Sequence, residues 1–264
     1  MITDWDDAYA NGIHIPDADS FAPMWAEQAA AFRAAHPPEP LGYGDDPRMA
    51  LDLFLPSGAP RGLAVFVHGG YWQAFNRDSW SHLAGGALAQ GFAVALPGYV
   101  LAPQAKIAEI TRQIAAAIDL AATRVEGPVY LSGHSAGGHL VTRMICENSP
   151  LKAAARVAHV MSISGVHDLR PLLKTGLNTK LKLDFAAACA ESPALLVPRN
   201  GARLTCWAGG AERPEFLRQS ALLANIWHGL GAQTASVVAP GLHHFNVIAP
   251  LADASSDMVR TWLA

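Results

Sequence analysis

Residues 130–140, Tyr130-Leu131-Ser132-Gly133-His134-Ser135-Ala136-Gly137-Gly138-His139-Leu140, decide how this chain folds. Ser135 stands at the centre of a Gly-x-Ser-x-Gly pattern. Residues 128–131 are short and apolar and read as a strand, while residues 136–146 read as a helix. A serine on a sharp strand-to-helix turn is forced out of regular structure, and its hydroxyl is presented to a substrate. Glycine is needed on both sides because side chains there collide with the adjoining strand and helix.

Working outward, strand and helix signals alternate. Residues 49–55 alternate apolar and polar side chains, and residues 63–67 form a continuous apolar run, the pattern of a strand buried on both faces. A helix is expected near residues 79–90, a strand at 92–96 and an alanine- and isoleucine-rich helix at 106–123. Further strands are expected at 157–164, 203–207 and 234–238, with closing helices at 214–230 and 251–263. Alternation of this kind specifies an α/β class, a mostly parallel sheet with helices on both faces. One domain spans residues 1–264, with two departures. Residues 1–45 form an N-terminal arm with a helix at 21–35, packed down because Trp5, Tyr9, Phe21 and Trp25 are costly to leave in water. Residues 168–200 interrupt the alternation as a small lid insertion, with a helical piece at 183–190.

Bulk properties narrow the function classes. The 264 residues are 51% hydrophobic, enough for a large core, and carry a formal charge of −3 with both signs dispersed. Neither nucleic acid nor membrane is therefore expected as a partner; a small-molecule substrate is, and a homodimer stays open. The three cysteines, Cys146, Cys189 and Cys206, are far apart and match no disulfide framework or zinc spacing. With an acidic N-terminus unlike a secretory signal, and no apolar run long enough to span a bilayer, the cytoplasm is the expected compartment.

A serine hydroxyl needs a base to take its proton and a third group to hold that base in the right tautomer. Pro240-Gly241-Leu242-His243-His244-Phe245 follows the last strand and offers two adjacent histidines, one of which is the expected base. The acid should follow the preceding strand. Glu212 stands after the turn at Gly209-Gly210 and is preferred to Glu215, which follows Pro214 in the first turn of a helix and there complements the helix dipole. His68-Gly69-Gly70-Tyr71-Trp72 follows the strand at 63–67, and the amides of Gly70, Tyr71 and Ala136 are expected to form an oxyanion hole. His68 is expected to brace that loop. Tyr71, Trp72, Phe75 and Trp80 are candidates for one wall of the pocket.

Together these residues resemble the α/β-hydrolase fold and, within it, the kynurenine formamidase (arylformamidase) group. His68-Gly69-Gly70-Tyr71-Trp72 is similar to that group's oxyanion motif, and Gly133-His134-Ser135-Ala136-Gly137 shares its histidine before the serine. Ser164-Gly165-Val166-His167-Asp168-Leu169-Arg170-Pro171-Leu172 resembles a further segment, with His167 where tyrosine is usual. The group's His-Phe pair falls on His244-Phe245, which selects His244 over His243 as base; Glu212 occupies the position of the group's catalytic aspartate. The resemblance covers about residue 45 to the C-terminus. It implies metal-free and cofactor-free hydrolysis of N-formylkynurenine to kynurenine and formate through an acyl-enzyme on Ser135. Trp72, His134 and His167 are the expected substrate-binding residues. A carboxylesterase for small acyl esters uses the same machinery and is the main rival; a catalytically silent ligand binder and a metal-dependent formamidase are weaker ones. The histidines match no compact metal-ligand spacing.

Overall fold

The computed structural model describes residues 2–264. Eight strands form one sheet: β1 (Glu39–Gly42), β2 (Ala50–Phe54), β3 (Leu63–Val67), β4 (Ala93–Pro97), β5 (Val129–His134), β6 (Val157–Ile163), β7 (Arg203–Gly209) and β8 (Gln233–Ala239). Their order is β1-β2-β4-β3-β5-β6-β7-β8. The β1–β2 and β2–β4 pairs are antiparallel, and every pair from β4 to β8 is parallel. This is the mostly parallel sheet that the alternation predicts.

The apolar runs explain the layering. Every residue of β3 and β4 is buried, because helices cover both faces of the sheet there. The edge strand β8 leaves four of its seven residues exposed, and its sequence is correspondingly mixed. The helices are α1 (Trp5–Tyr9), α2 (Phe21–Ala35), α3 (Gly85–Ala89), α4 (Ile107–Arg124), α5 (Ala136–Arg143), α6 (Asn178–Leu181), α7 (Phe185–Ala190), α8 (Pro214–Gly229) and α9 (Asp257–Trp262). All eight residues of α5 are buried, since this helix is sandwiched between the sheet and its neighbours. None of the described helices is long and apolar enough to cross a membrane.

Two helices expected from sequence begin differently. Residues 79–90 split into a 3-10 stretch, Arg77–Ala84, followed by the short α3. The C-terminal helix is likewise preceded by a 3-10 turn, Ala249–Ala252. The glycine pair Gly85-Gly86 accounts for the first split: a Cβ on Gly86 would collide with the Leu251 carbonyl, so the chain tightens to pass beneath that turn.

The arm lies on the body of the fold. α2 docks through Trp25, whose ring centroid is 4.8 Å from that of Trp80, and through Arg33, whose Nη1 lies 2.5 Å from Asp52 Oδ2. α1 docks through Tyr9, which is buried and donates its hydroxyl proton to Glu215 Oε1 of α8 at 2.9 Å. Residues 168–200 are also tied down. The Glu191 carboxylate accepts from Thr111 and Arg143, and its carbonyl meets His139 Nε2 at 2.7 Å.

Candidate active site

Four strand ends converge on one place. β5 delivers Ser135 in the position immediately after its last residue, β3 delivers the loop from His68, β7 delivers Glu212 three residues past Gly209, and β8 delivers His244 five residues past Ala239. Parallel strands carry their functional groups at carboxyl ends because neighbouring loops emerge there together.

Ser135 adopts φ 55° and ψ −114°, a strained conformation for a residue with a side chain. The surroundings over-determine it. Its amide donates to the Ile163 carbonyl at 2.8 Å, locking the turn to β6. A Cβ on Gly133 would run into the Gly137 carbonyl, and one on Gly137 would run into the Val67 carbonyl. The glycines of the motif are therefore required by close backbone approach, as the sequence suggests.

His244 is 4% exposed, and its Nδ1 lies 2.6 Å from Glu212 Oε2. The other carboxylate oxygen of Glu212 accepts from the Gly209 amide at 2.8 Å and from the Ser164 hydroxyl. Burial pushes the Glu212 carboxyl up, but the charge of His244 and hydrogen bonds from His244, Ser164 and Gly209 outweigh it and hold the group below its ordinary range. Glu212 is thus an ionised, fully engaged anion behind the imidazole. Phe216 packs on the His244 ring with centroids 4.4 Å apart, and His134 does so at 4.6 Å.

Glu215 is elsewhere. Its carboxylate takes both Arg218 hydrogen bonds at 2.7 Å and also accepts from Tyr9 and Gln219. It anchors the arm. His243 turns the other way from His244, with its Nδ1 accepting from the Phe245 amide at 3.2 Å and its ring against Phe21.

The loop expected to hold the oxyanion is built on left-handed residues: Gly70, Tyr71 and Trp72 have φ of 102°, 50° and 57°. The turn is closed by the amides of Gln73 and Ala74 donating to the Gly70 carbonyl, so the amides of Gly70 and Tyr71 are not used in closing it. Ala136 is the first residue of α5, where a helix amide has no intrahelical acceptor. His68 braces the loop from below. Its Nδ1 meets the Gly69 carbonyl at 2.8 Å, its ring stacks on Tyr99 at 4.4 Å, and burial pulls its pKa down to about 4.

Ser135 and His244 open on a cavity of about 520 Å³, a size that suits a small organic ligand. Gly70, Tyr71 and His134 line it, as do Phe75 and Trp80. His134 is neutral there: burial first, then repulsion from His244, draw its pKa well below the usual value against a hydrogen bond to the His244 backbone. Trp72 and His167 require correction as substrate-binding residues. Trp72 is fully buried against His139, and His167 is fully buried with its Nε2 3.2 Å from Ser162 Oγ; neither belongs to the cavity wall. Their backbone strands and loops turn these side chains into the core beneath α5.

The arm supplies a wall that sequence reasoning did not assign. Tyr9, Asn11, Gly12 and Trp25 line the cavity, and Leu177 of the 168–200 segment joins them. The Tyr71 hydroxyl, across the cavity, donates to the Tyr9 carbonyl at 2.5 Å. Only the aromatic density of the arm hinted that it packs on something. Ser164 was also missed as a partner of Glu212; its sole local mark is the abrupt end of an apolar strand before Gly165, where it takes φ 50°.

Comparison with known proteins bears on the same residues. A family model for the alpha/beta hydrolase fold matches residues 64–200. Kynurenine formamidase of Danio rerio is 28% identical over 223 residues, covering 80% of this chain and 75% of that protein. Kynurenine formamidase of Drosophila melanogaster is 28% identical over 239 residues, covering 83% and 78%. The crystal structure of a candidate thioesterase from Silicibacter sp. TM1040 superposes with a TM-score of 0.94 at 50% identity and covers 99% of both chains.

Proposed function

The chain belongs to the α/β-hydrolase family, and from that premise we propose that it is a serine hydrolase removing a small acyl group, formyl foremost, from an aryl amine. N-formylkynurenine is the reference substrate, with kynurenine and formate as products. The observation that carries this reading is the buried Glu212–His244 pair at 2.6 Å, with His244 and Ser135 on the wall of one cavity.

In this reading His244 Nε2 takes the Ser135 proton while the serine oxygen attacks the formyl carbon. Glu212 fixes the tautomer by holding Nδ1–H and stabilises the imidazolium that forms. The amides of Gly70, Tyr71 and Ala136 receive the oxyanion. His244 then protonates the departing aryl nitrogen, the C–N bond breaks, and a formyl ester of Ser135 is left. Water attacks that ester with His244 again as base, and formate leaves as the serine regains its proton. The aromatic wall of Trp25, Phe75, Trp80 and Phe245 suits a flat leaving group. The similarity to kynurenine formamidases over four fifths of the chain supports the formamide.

A second reading, ester or thioester hydrolysis, is favoured by the 50% identical candidate thioesterase and uses the same steps with oxygen or sulfur as the leaving atom. Specificity constants for N-formylkynurenine, para-nitrophenyl acetate and a short acyl thioester, with Ser135→Ala as blank, separate the two. A formamide constant well above the others supports the first reading; turnover of esters or thioesters alone replaces it with the second.

A further inference from the structure

The cavity facing Ser135 is one-sided in charge. No lysine or arginine is found among its described lining residues, and its one acidic side chain is Asp6. Arg213 reaches only a smaller cavity on the other side of Asn11, and its guanidinium is committed to the Asp7 carboxylate and carbonyl.

Asn11 sits in the wall between the two and is 6% exposed. Its orientation follows from its neighbour. The Tyr71 hydroxyl donates its one proton to the Tyr9 carbonyl, so toward Asn11 it can only accept. The Asn11 group facing it, at 3.4 Å, is accordingly Nδ2. The amide oxygen is thereby left buried with no donor among the described residues. An orphaned buried acceptor is a standing penalty that a donor on a bound molecule removes.

We propose that Asn11 is the recognition point for the leaving group, its buried amide oxygen turning to the cavity as a donor seats there, and that the cavity selects neutral or cationic aryl amine derivatives bearing an N–H or O–H donor over those bearing a carboxylate. The inference rests on the acyl-transfer reading of Ser135. A formamide N–H or an ammonium group meets an acceptor here. A carboxylate meets the Asn11 oxygen and the Asp6 side chain with no cation to offset its desolvation. For N-formylkynurenine itself, the amino-acid carboxylate must stay in water at the mouth, and removing it improves turnover.

The test compares three formamides of matched shape: 2-formamidoacetophenone (neutral), N-formylkynurenamine (cationic) and 2-formamidobenzoate (anionic), with an equivalent series of aryl acetates. The neutral and cationic compounds should exceed the anion in kcat/KM by about tenfold or more, mainly through KM, as loss of a hydrogen bond together with an uncompensated charge implies. An anion that is turned over equally well or better overturns the proposal. Asn11→Ala should lower kcat/KM for the neutral and cationic members and leave the anion nearly unchanged. The isosteric Asn11→Asp, checked with its partner variant by thermal melting, should widen the preference for the cation. Ratios unmoved in both variants remove Asn11 from the assignment and overturn it.

If neither series is hydrolysed, it is the function proposed above that fails. The charge preference is then decided by calorimetric titration of the Ser135→Ala protein with 2-aminoacetophenone and anthranilate. Tighter binding of the neutral amine supports it, and equal or tighter binding of anthranilate overturns it.

Discussion

Glu212 Oε2 lies 2.6 Å from His244 Nδ1, while the opposite oxygen of the same carboxylate is held by the Gly209 amide and the Ser164 hydroxyl. The carboxylate therefore cannot rotate away without breaking three hydrogen bonds, and it points the imidazole. Ionised and buried, the group holds the His244 ring in one orientation through Nδ1.

Replacing Ser135 or His244 by alanine should each reduce kcat/KM by about three to six orders of magnitude, with far-UV circular dichroism unchanged. His243→Ala should cost less than about tenfold, because that ring is turned toward Phe21 and away from the cavity. Steady-state kinetics on the best formamide or ester decides it. A dead His243→Ala beside an active His244→Ala would reverse the assignment of the base.

Glu212→Gln should lower kcat by about three to four orders of magnitude, since the amide offers Nδ1 the wrong hydrogen-bond partner or tautomer. Ser164→Ala should lower it far less, by about tenfold, because Gly209 still holds the carboxylate. Glu215→Gln should leave kcat near wild type. A Glu215 variant more damaged in kcat than Glu212→Gln would contradict the observed pairing.

Tyr9→Phe removes the buried hydroxyl that bridges Glu215 and Gln219. It should destabilise the protein by about 1–3 kcal/mol, measured as a shift in urea midpoint at constant m, because Glu215 loses a donor. Since losing the Glu215 anchor lets α1 and the Tyr9 carbonyl that holds the Tyr71 hydroxyl shift, KM should rise while kcat falls little. A fall confined to kcat would mean that the arm aligns the oxyanion loop and does not shape the cavity.

Three buried histidines make the fold acid-sensitive. Burial lowers the pKa of His68 to about 4 and of His139 and His167 to about 3. Unfolding releases each to about 6.5, so below that pH the unfolded chain binds more protons and stability falls as pH drops from about 6.5 toward 4. Each group contributes up to about 1.4 kcal/mol per pH unit in this window. The midpoint of chemical denaturation should therefore decline steeply between pH 6.5 and 4.5, and less steeply in His167→Gln. A flat profile would mean that these rings are protonated in the folded protein.

What the sequence determined by itself lies within short stretches of chain. The apolar run Leu63–Val67, the Gly-x-Ser-x-Gly turn, the glycine pair before Tyr71 and the Pro214 helix start each act over a few residues, where sterics and hydrogen-bonding periodicity leave one outcome. They made the parallel sheet legible, along with Ser135, Glu212 and His244, because each of these groups stands within five residues of a strand's carboxyl end. Tertiary structure alone decided which face the arm presents. Tyr9 finds Glu215 across 206 positions of sequence, and Asn11 finds Tyr71 across 60. No local pattern encodes such a pairing, since it depends on how two already folded surfaces fit. The same cause misled the reading of Trp72 and His167. Trp72 has sequence neighbours in the cavity wall and His167 follows Ser164, but backbone torsions at Trp72 and packing beneath α5 turn the two side chains into the core.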